Sequence, residues 1–343
     1  MQSPFSPSRL ISCDDLLARL LAGLAPVAPC LVPLAQLRPG TIAAALPGPQ
    51  AGLPSAPLAL RRGYALRSDE LIGAGPLSPV MRLTEPPLIE AGEPLPEGAD
   101  AILDPAALRR SGAFYEISAE TFPGDGVLPA AHHLPPHEPL LEEGEEIGPA
   151  GLLLLAMAGT TEVPCRIPRL AITGGDAPAR QSLCTLAQSF GATLTDGPAD
   201  IHLQLAETAP SGGGWLCQGL ALNGVQEIAV AQSDTCVTIR FAPRPELLML
   251  VAVGVLLPLL DHLSCRRALK GPALPLSRKI SSPVGMSEIV LLRREAQTWA
   301  PLPSGELSLA GLSRAEALLR LPAGEEGWPA GRTLAPDLFG RRL

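Results

Sequence analysis

Three groups of side chains have the types and spacing to do chemistry. The first is Thr173-Gly174-Gly175-Asp176, which closes a short apolar run, Arg169-Leu170-Ala171-Ile172-Thr173. Two glycines and an acid directly behind a strand suit a ligand-facing turn of an α/β domain, and the same acid equally suits a helix N-cap. The second is His132-His133 with His137, imidazoles that could hold a metal, although Pro135-Pro136 between them breaks any helical face and a solvated loop competes with that reading. The third is Arg61-Arg62, a pair that fits a phosphate and fits an exposed surface as well. Glu142, Glu143, Glu145 and Glu146 are most simply an exposed acidic turn.

The elements that must position these groups are clearest from Leu140 to Asp176. Ile147 to Ala158 reads as a helix, with Pro149 in the first turn, where its missing N–H costs least, and Gly159 as the stop. Its apolar body, Leu152 to Met157, predicts a buried helix. Thr160 to Val163 is extended, and Arg169 to Thr173 predicts the first strand of an α/β domain. Near the start, Ser12 followed by Asp15 makes a capping box with Asp in place of Glu, so a helix is expected over Cys13 to Ala22, ended by Gly23. Between Leu58 and Leu134, short extended runs such as Val80-Leu83, Ala101-Leu103 and Phe114-Ile117 alternate with Pro and Gly turns, the pattern of a β-rich insertion. Beyond Asp176 the chain reads as helix (Arg180 to Phe190), strand (Asp200 to Leu205) and a buried helix from Glu246 to His262 interrupted at Pro258. This is α/β alternation in shortened form.

A chain of 343 residues with 46% hydrophobic residues has room for two or three well-buried domains. A formal net charge of -8 argues against nucleic acid or an anionic membrane as the main partner. Met1 to Arg9 lacks a signal-peptide core, and the longest apolar run, Leu247 to Leu260, is short and interrupted by proline, so a cytoplasmic protein is expected. Seven cysteines without a C-x-x-C pair fit free thiols in a reducing compartment.

Several segments together resemble the molybdopterin molybdenumtransferase family, which includes bacterial MoeA and the gephyrin E domain. Gly92-Glu93-Pro94-Leu95-Pro96-Glu97-Gly98-Ala99-Asp100-Ala101-Ile102 is the most specific match. Gly63-Tyr64-Ala65-Leu66-Arg67-Ser68, Pro123-Gly124-Asp125-Gly126-Val127, the Leu140–Asp176 stretch and Leu321-Pro322-Ala323-Gly324 follow in the family's order. The resemblance implies α/β and β multi-domain architecture: an elongated N-terminal domain (1–57 and 139–168), a β-rich inserted domain (58–138), a reduced α/β molybdopterin-binding-like domain (169–271) and a small C-terminal β domain (272–343). It also implies a homodimer, and molybdopterin or its adenylylated form, molybdate and magnesium as ligands.

Molybdate insertion needs carboxylates for a hard divalent cation and backbone N–H groups for phosphate. The sequence departs from the family where these should be. Arg62 replaces the Asp before Gly-Tyr-Ala, His132-His133 replace an acidic pair, Ala177 replaces the Glu after Asp176, and Ala242-Pro243-Arg244-Pro245 replaces Pro-Gly-Asn-Pro. Glu316-Ala317 stands for the family's Asn-Gly, and Ser211-Gly212-Gly213-Gly214 keeps the glycines of another family loop. The expected site is therefore Asp176 as the catalytic residue, Gly174, Gly175, Arg62, Arg244 and Pro245 as substrate-binding residues, and no metal ligands. Two functions compete: an enzyme of molybdenum cofactor biosynthesis, and a catalytically degraded relative that binds the cofactor or a partner without turnover.

Overall fold

The computed structural model describes residues 10–38, 40–208, 214–225, 227–302 and 309–338. They form two compact units, one of Met1–Ala45, Glu142–Leu152 and Thr161–Leu343, the other of Leu46–Leu141 and Leu153–Thr160. Two of the helices used below are α1 (Cys13–Ala22) and α2 (Pro149–Met157). Helix α1 has the expected N-cap: the Asp15 N–H donates to Ser12 Oγ at 3.0 Å, the Ser12 hydroxyl donates to Asp15 Oδ2 at 2.7 Å, and Gly23 closes the helix.

The first unit is built on a six-stranded sheet of β1 (Arg169–Gly174), β2 (Thr193–Leu194), β3 (Ile201–Leu205), β4 (Cys217–Gln218), β5 (Ile228–Gln232) and β6 (Val237–Phe241), in the order β2-β1-β3-β6-β5-β4. The four strands β2, β1, β3 and β6 are parallel, and β5 and β4 join antiparallel. Helix α3 (Ala177–Ser189) crosses from β1 to β2, whereas only Thr195 to Asp200 connect β2 to β3. Six residues cannot hold the helix a parallel crossover normally carries. Strands β3 and β6 are accordingly apolar on one side only. Ile201, Leu203 and Leu205 are buried with Leu183 of α3, whereas His202 and Gln204, with Thr238 and Arg240 of β6, are half-buried polar groups on the opposite side.

Helix α4 (Pro245–Leu263) runs through Pro258, and the interruption expected there takes the form of an irregular turn just before the proline and not of a break. Proline has no N–H for the carbonyl four residues back, that of Gly254. The helix widens to a π turn over Ala252–Leu256, and the Gly254 carbonyl accepts from Arg320 Nη2 at 3.2 Å and from the Cys13 thiol at 3.7 Å. At 19 residues α4 is long and apolar enough to span a bilayer, but Leu247, Val251, Val255 and Leu259 lie in the core. Helix α2 departs the other way. Only Leu155 is buried, while Leu153 and Met157, one turn apart, are 64% and 51% exposed.

The acidic turn is exposed at Glu142, Glu143 and Glu145, as expected, but three of its acids are paired. Glu143 pairs with Arg166 at 2.6 Å, Glu142 with Arg267, and Glu146 with Arg266, whose guanidinium is almost fully buried and also donates to the Gly40 carbonyl. A buried guanidinium requires such partners. The first unit ends in a four-stranded antiparallel sheet, Thr298–Pro301, Glu288–Glu295, Ala317–Leu321 and Asp337–Leu338, over its own core around Trp299 and Leu292. The family-like Asn-Gly loop is absent there, since Ala317 opens a strand and Glu316 accepts from the Arg294 N–H.

The second unit is β-rich. Gly63–Leu66 is the middle strand between Leu88–Ile89 and Ala101–Leu103, and Val80–Arg82, Phe114–Ile117 and Leu108–Ser111 form a second small sheet.

Candidate functional site

In the parallel part of the sheet, β1 is followed by a step to β2 on one side while β3 lies on the other, so the connections diverge at the carboxyl ends of β1 and β3. This is where α/β sheets of this kind bind ligands. The topology brings Gly174, Gly175 and Asp176 to that edge. It brings Arg244 and Pro245 there as well, because they follow β6, the next strand beyond β3. With strands about 4.8 Å apart, the two groups stand roughly 10 Å from each other along the edge.

Local geometry limits what this edge can hold. Gly174 and Gly175 both have φ near +70°, and a Cβ on Gly174 would collide with the Leu205 carbonyl oxygen, so glycine is required there. The Gly175 N–H donates to that same carbonyl at 3.2 Å. Asp176 is the N-cap of α3: its Oδ1 accepts from the Ala179 N–H at 2.9 Å, and its carbonyl accepts from Arg180. Pro178 has no N–H, which leaves Ala177 as the first-turn donor not engaged among the described residues. A helix start that would suit an anion has thus given one donor to proline and one to an internal carboxylate. Beside it, Thr173 Oγ1 and His202 Nε2 lie 2.9 Å apart.

Arg244 opens α4, its guanidinium 3.1 Å from Glu227, and Pro245 removes the next N–H. Residues Ser211-Gly212-Gly213 lie outside the described residues. Arg62 belongs to the second unit, where it pairs with Glu90 at 3.1 Å, and Arg61 donates to the Ile102 carbonyl and to Asp125. His132 and His133 are exposed, edge to face at 5.2 Å. Among the described residues no three His, Cys, Asp or Glu side chains stand where they could hold one metal ion. The donors present do not fit magnesium, since Asp176 spends Oδ1 on its own helix and belongs to no cluster of ligands among the described residues.

The second unit explains the motifs that carried the resemblance. The segments 63–68, 92–102 and 123–127 converge: Tyr64, Ala65 and Leu66 pair antiparallel with Leu103, Ile102 and Ala101, and the Ile102 N–H donates to the Asp125 carbonyl. Asp100 ties them together. It accepts from the Ser68 N–H at 2.6 Å and the Ser68 hydroxyl at 2.8 Å, while its own carbonyl accepts from Gly124. The backbone hydrogen bond from Ser68 holds its carboxyl below the ordinary range. A lone acid in a Pro/Gly-rich segment gives no sign of this role. Only the strand pairing reveals it.

A family profile described as the MoeA N-terminal region (domain I and II) matches residues 11–159. Over those residues the chain is similar to the MoeA family. The profile covers the N-terminal part, and the rest is MoeA-like in fold. Two solved structures of a molybdopterin biosynthesis MoeA protein from Pyrococcus horikoshii superpose with TM-scores of 0.67 and 0.68 at 16% and 19% identity, each covering 96% of this chain and 99–100% of theirs. A molybdenum cofactor biosynthesis protein from Pyrococcus furiosus gives a TM-score of 0.56 at 15% identity, covering 96% of this chain and all of its own. No curated protein matches the chain significantly.

Proposed function

We propose that this chain is a molybdenum cofactor biosynthesis protein of the MoeA family, which binds molybdopterin or its adenylylated form and has lost the molybdate-insertion chemistry. The observation that carries this reading is the use of Asp176 as the cap of α3, together with Arg62, His132, His133 and Ala177 at positions where the family resemblance implies acids. Gly174, Gly175, Arg244 and Pro245 at the sheet edge are the proposed pterin-binding residues. Arg62, on the second unit, is proposed separately as a phosphate contact.

On this reading the four-part division at 57, 138, 168 and 271 describes its domains, and the protein works in the cytoplasm without nucleic acid or membrane as partner. A homodimer would cover the exposed Leu153 and Met157 face of α2. A monomer mass by light scattering at micromolar concentration would remove that part of the proposal. Isothermal titration tests the ligand. Molybdopterin and its adenylylated form should bind without magnesium, and Arg244→Ala should weaken that binding. Absence of any heat or competition with either form would overturn the reading.

A further inference from the structure

Cys30 and Cys165 are far apart in the sequence and face each other in the fold. They are register partners in the antiparallel pair Cys30–Pro33 and Glu162–Arg166. The Leu34 N–H donates to the Thr161 carbonyl at 2.9 Å, one step beyond that register, which makes 34/161 a hydrogen-bonded pair. By alternation 32/163 and 30/165 are hydrogen-bonded pairs too, with Cα atoms about 5.5 Å apart. That lies inside the Cα range of about 4.4–6.8 Å that a disulfide spans, and the Cβ atoms, about 5.5 Å apart in such a pair, must close by roughly 1 Å for the bond to form. Directly opposed residues project to the same face of the sheet. Cys165 sits in the central strand, with Ala43 as partner on its other side, and is fully buried, while Cys30 on the edge strand is exposed. Burial, and secondly the neighbouring Cys30, push the Cys165 thiol up to about 12.

We propose that Cys30 and Cys165 form an oxidisable dithiol, which a hydroperoxide converts to a cross-strand disulfide. The exposed Cys30 sulfur attacks the O–O bond, becoming a sulfenic acid as the alcohol or water leaves. The Cys165 sulfur then attacks the Cys30 sulfur, the S–S bond forms, and the sulfenic oxygen departs as water with the Cys165 proton. Two electrons pass from the sulfurs to the peroxide, and a dithiol reductant reverses the step. Access decides the order of events, since only Cys30 meets the oxidant first. The closed loop would contain every residue of the second unit, because 46–141 and 153–160 all lie between the two cysteines. The bond would therefore lock the strands by which the chain leaves the first unit and returns to it.

The test uses the full chain, exposed to a small excess of hydrogen peroxide, alkylated and mapped as peptides without reduction. The expected result is one linked peptide pair joining Cys30 and Cys165, with five of the seven cysteines still alkylated, full reversal by dithiothreitol, and no linked pair in Cys30→Ser. Accumulation of singly oxidised Cys30 while Cys165 is still alkylated after denaturation would overturn the proposal. A second measurement needs no variant. Phenylarsine oxide, which bridges paired thiols, should bind the reduced wild-type chain and protect both cysteines from alkylation, and protection of neither would also overturn it.

Discussion

Replacing Asp100 with alanine removes the acceptor on which two parts of the second unit meet. In the wild type both carboxylate oxygens are used by Ser68, through its N–H and its hydroxyl, and Ser68 is almost fully buried. Hydrogen bonds to a charged group contribute about 1.5–3 kcal/mol each, and a buried donor left without a partner costs about 1–3 kcal/mol. Asp100 is partly exposed, so screening reduces the sum, and a loss of roughly 2–4 kcal/mol is expected for Asp100→Ala. The pH dependence follows from the depressed carboxyl. A group whose folded pKa is lowered stabilises the fold above its unfolded value, near 3.9 for Asp, and that contribution is lost as pH falls through the folded value. The gap between wild type and variant should therefore be full at pH 6–7 and should close in acid. With two compact units a single unfolding curve is ambiguous, so hydrogen exchange of peptides covering 63–71 and 100–103 is the assay of choice. Unchanged protection of the Ser68 amide in Asp100→Ala, or a stability loss under about 0.5 kcal/mol, would refute the clamp.

The remaining expectations concern the first unit. Asparagine is as good an N-cap as aspartate, so Asp176→Asn should leave thermal stability within about 0.5 kcal/mol of wild type, whereas Asp176→Ala should cost about 1 kcal/mol. Equal losses for both variants would argue that the charge itself, and not the cap, matters. Glu288 opens a strand as a nearly buried acid, with burial pushing its carboxyl up. Its stabilising contribution is present below the unfolded carboxyl pKa and is lost as pH rises through the raised folded value, so Glu288→Gln should flatten the fall in stability above about pH 5. An unchanged pH profile of urea midpoints would contradict this.

What the sequence made legible was local. Ser12 and Asp15 announced α1, and the Gly174-Gly175-Asp176 turn announced the end of β1, because a cap and a left-handed turn depend on neighbours within a few residues. What it hid was set by partners distant in sequence. Glu142, Glu143 and Glu146 read only as part of an exposed acidic turn, because their partners Arg166, Arg266 and Arg267 stand 23 to 125 residues away. Pro258 read only as an interruption because nothing local shows that Arg320 and Cys13 will satisfy the freed Gly254 carbonyl. The α2 segment read as buried from hydropathy alone, but a uniformly apolar run carries no information on which face finds cover. At the candidate site, the acid was visible and its use was not. Asp176 stood equally for ligand and cap until the Ala179 N–H was seen to take it.

The central claim, that the chain handles molybdopterin without inserting metal, is tested most directly by reconstitution with adenylylated molybdopterin, molybdate and magnesium, following AMP release. The account predicts release at the rate of the protein-free control while the pterin remains bound to the protein. Magnesium-dependent release well above that control, and lost in Asp176→Asn, would contradict it and make the chain an active molybdenumtransferase.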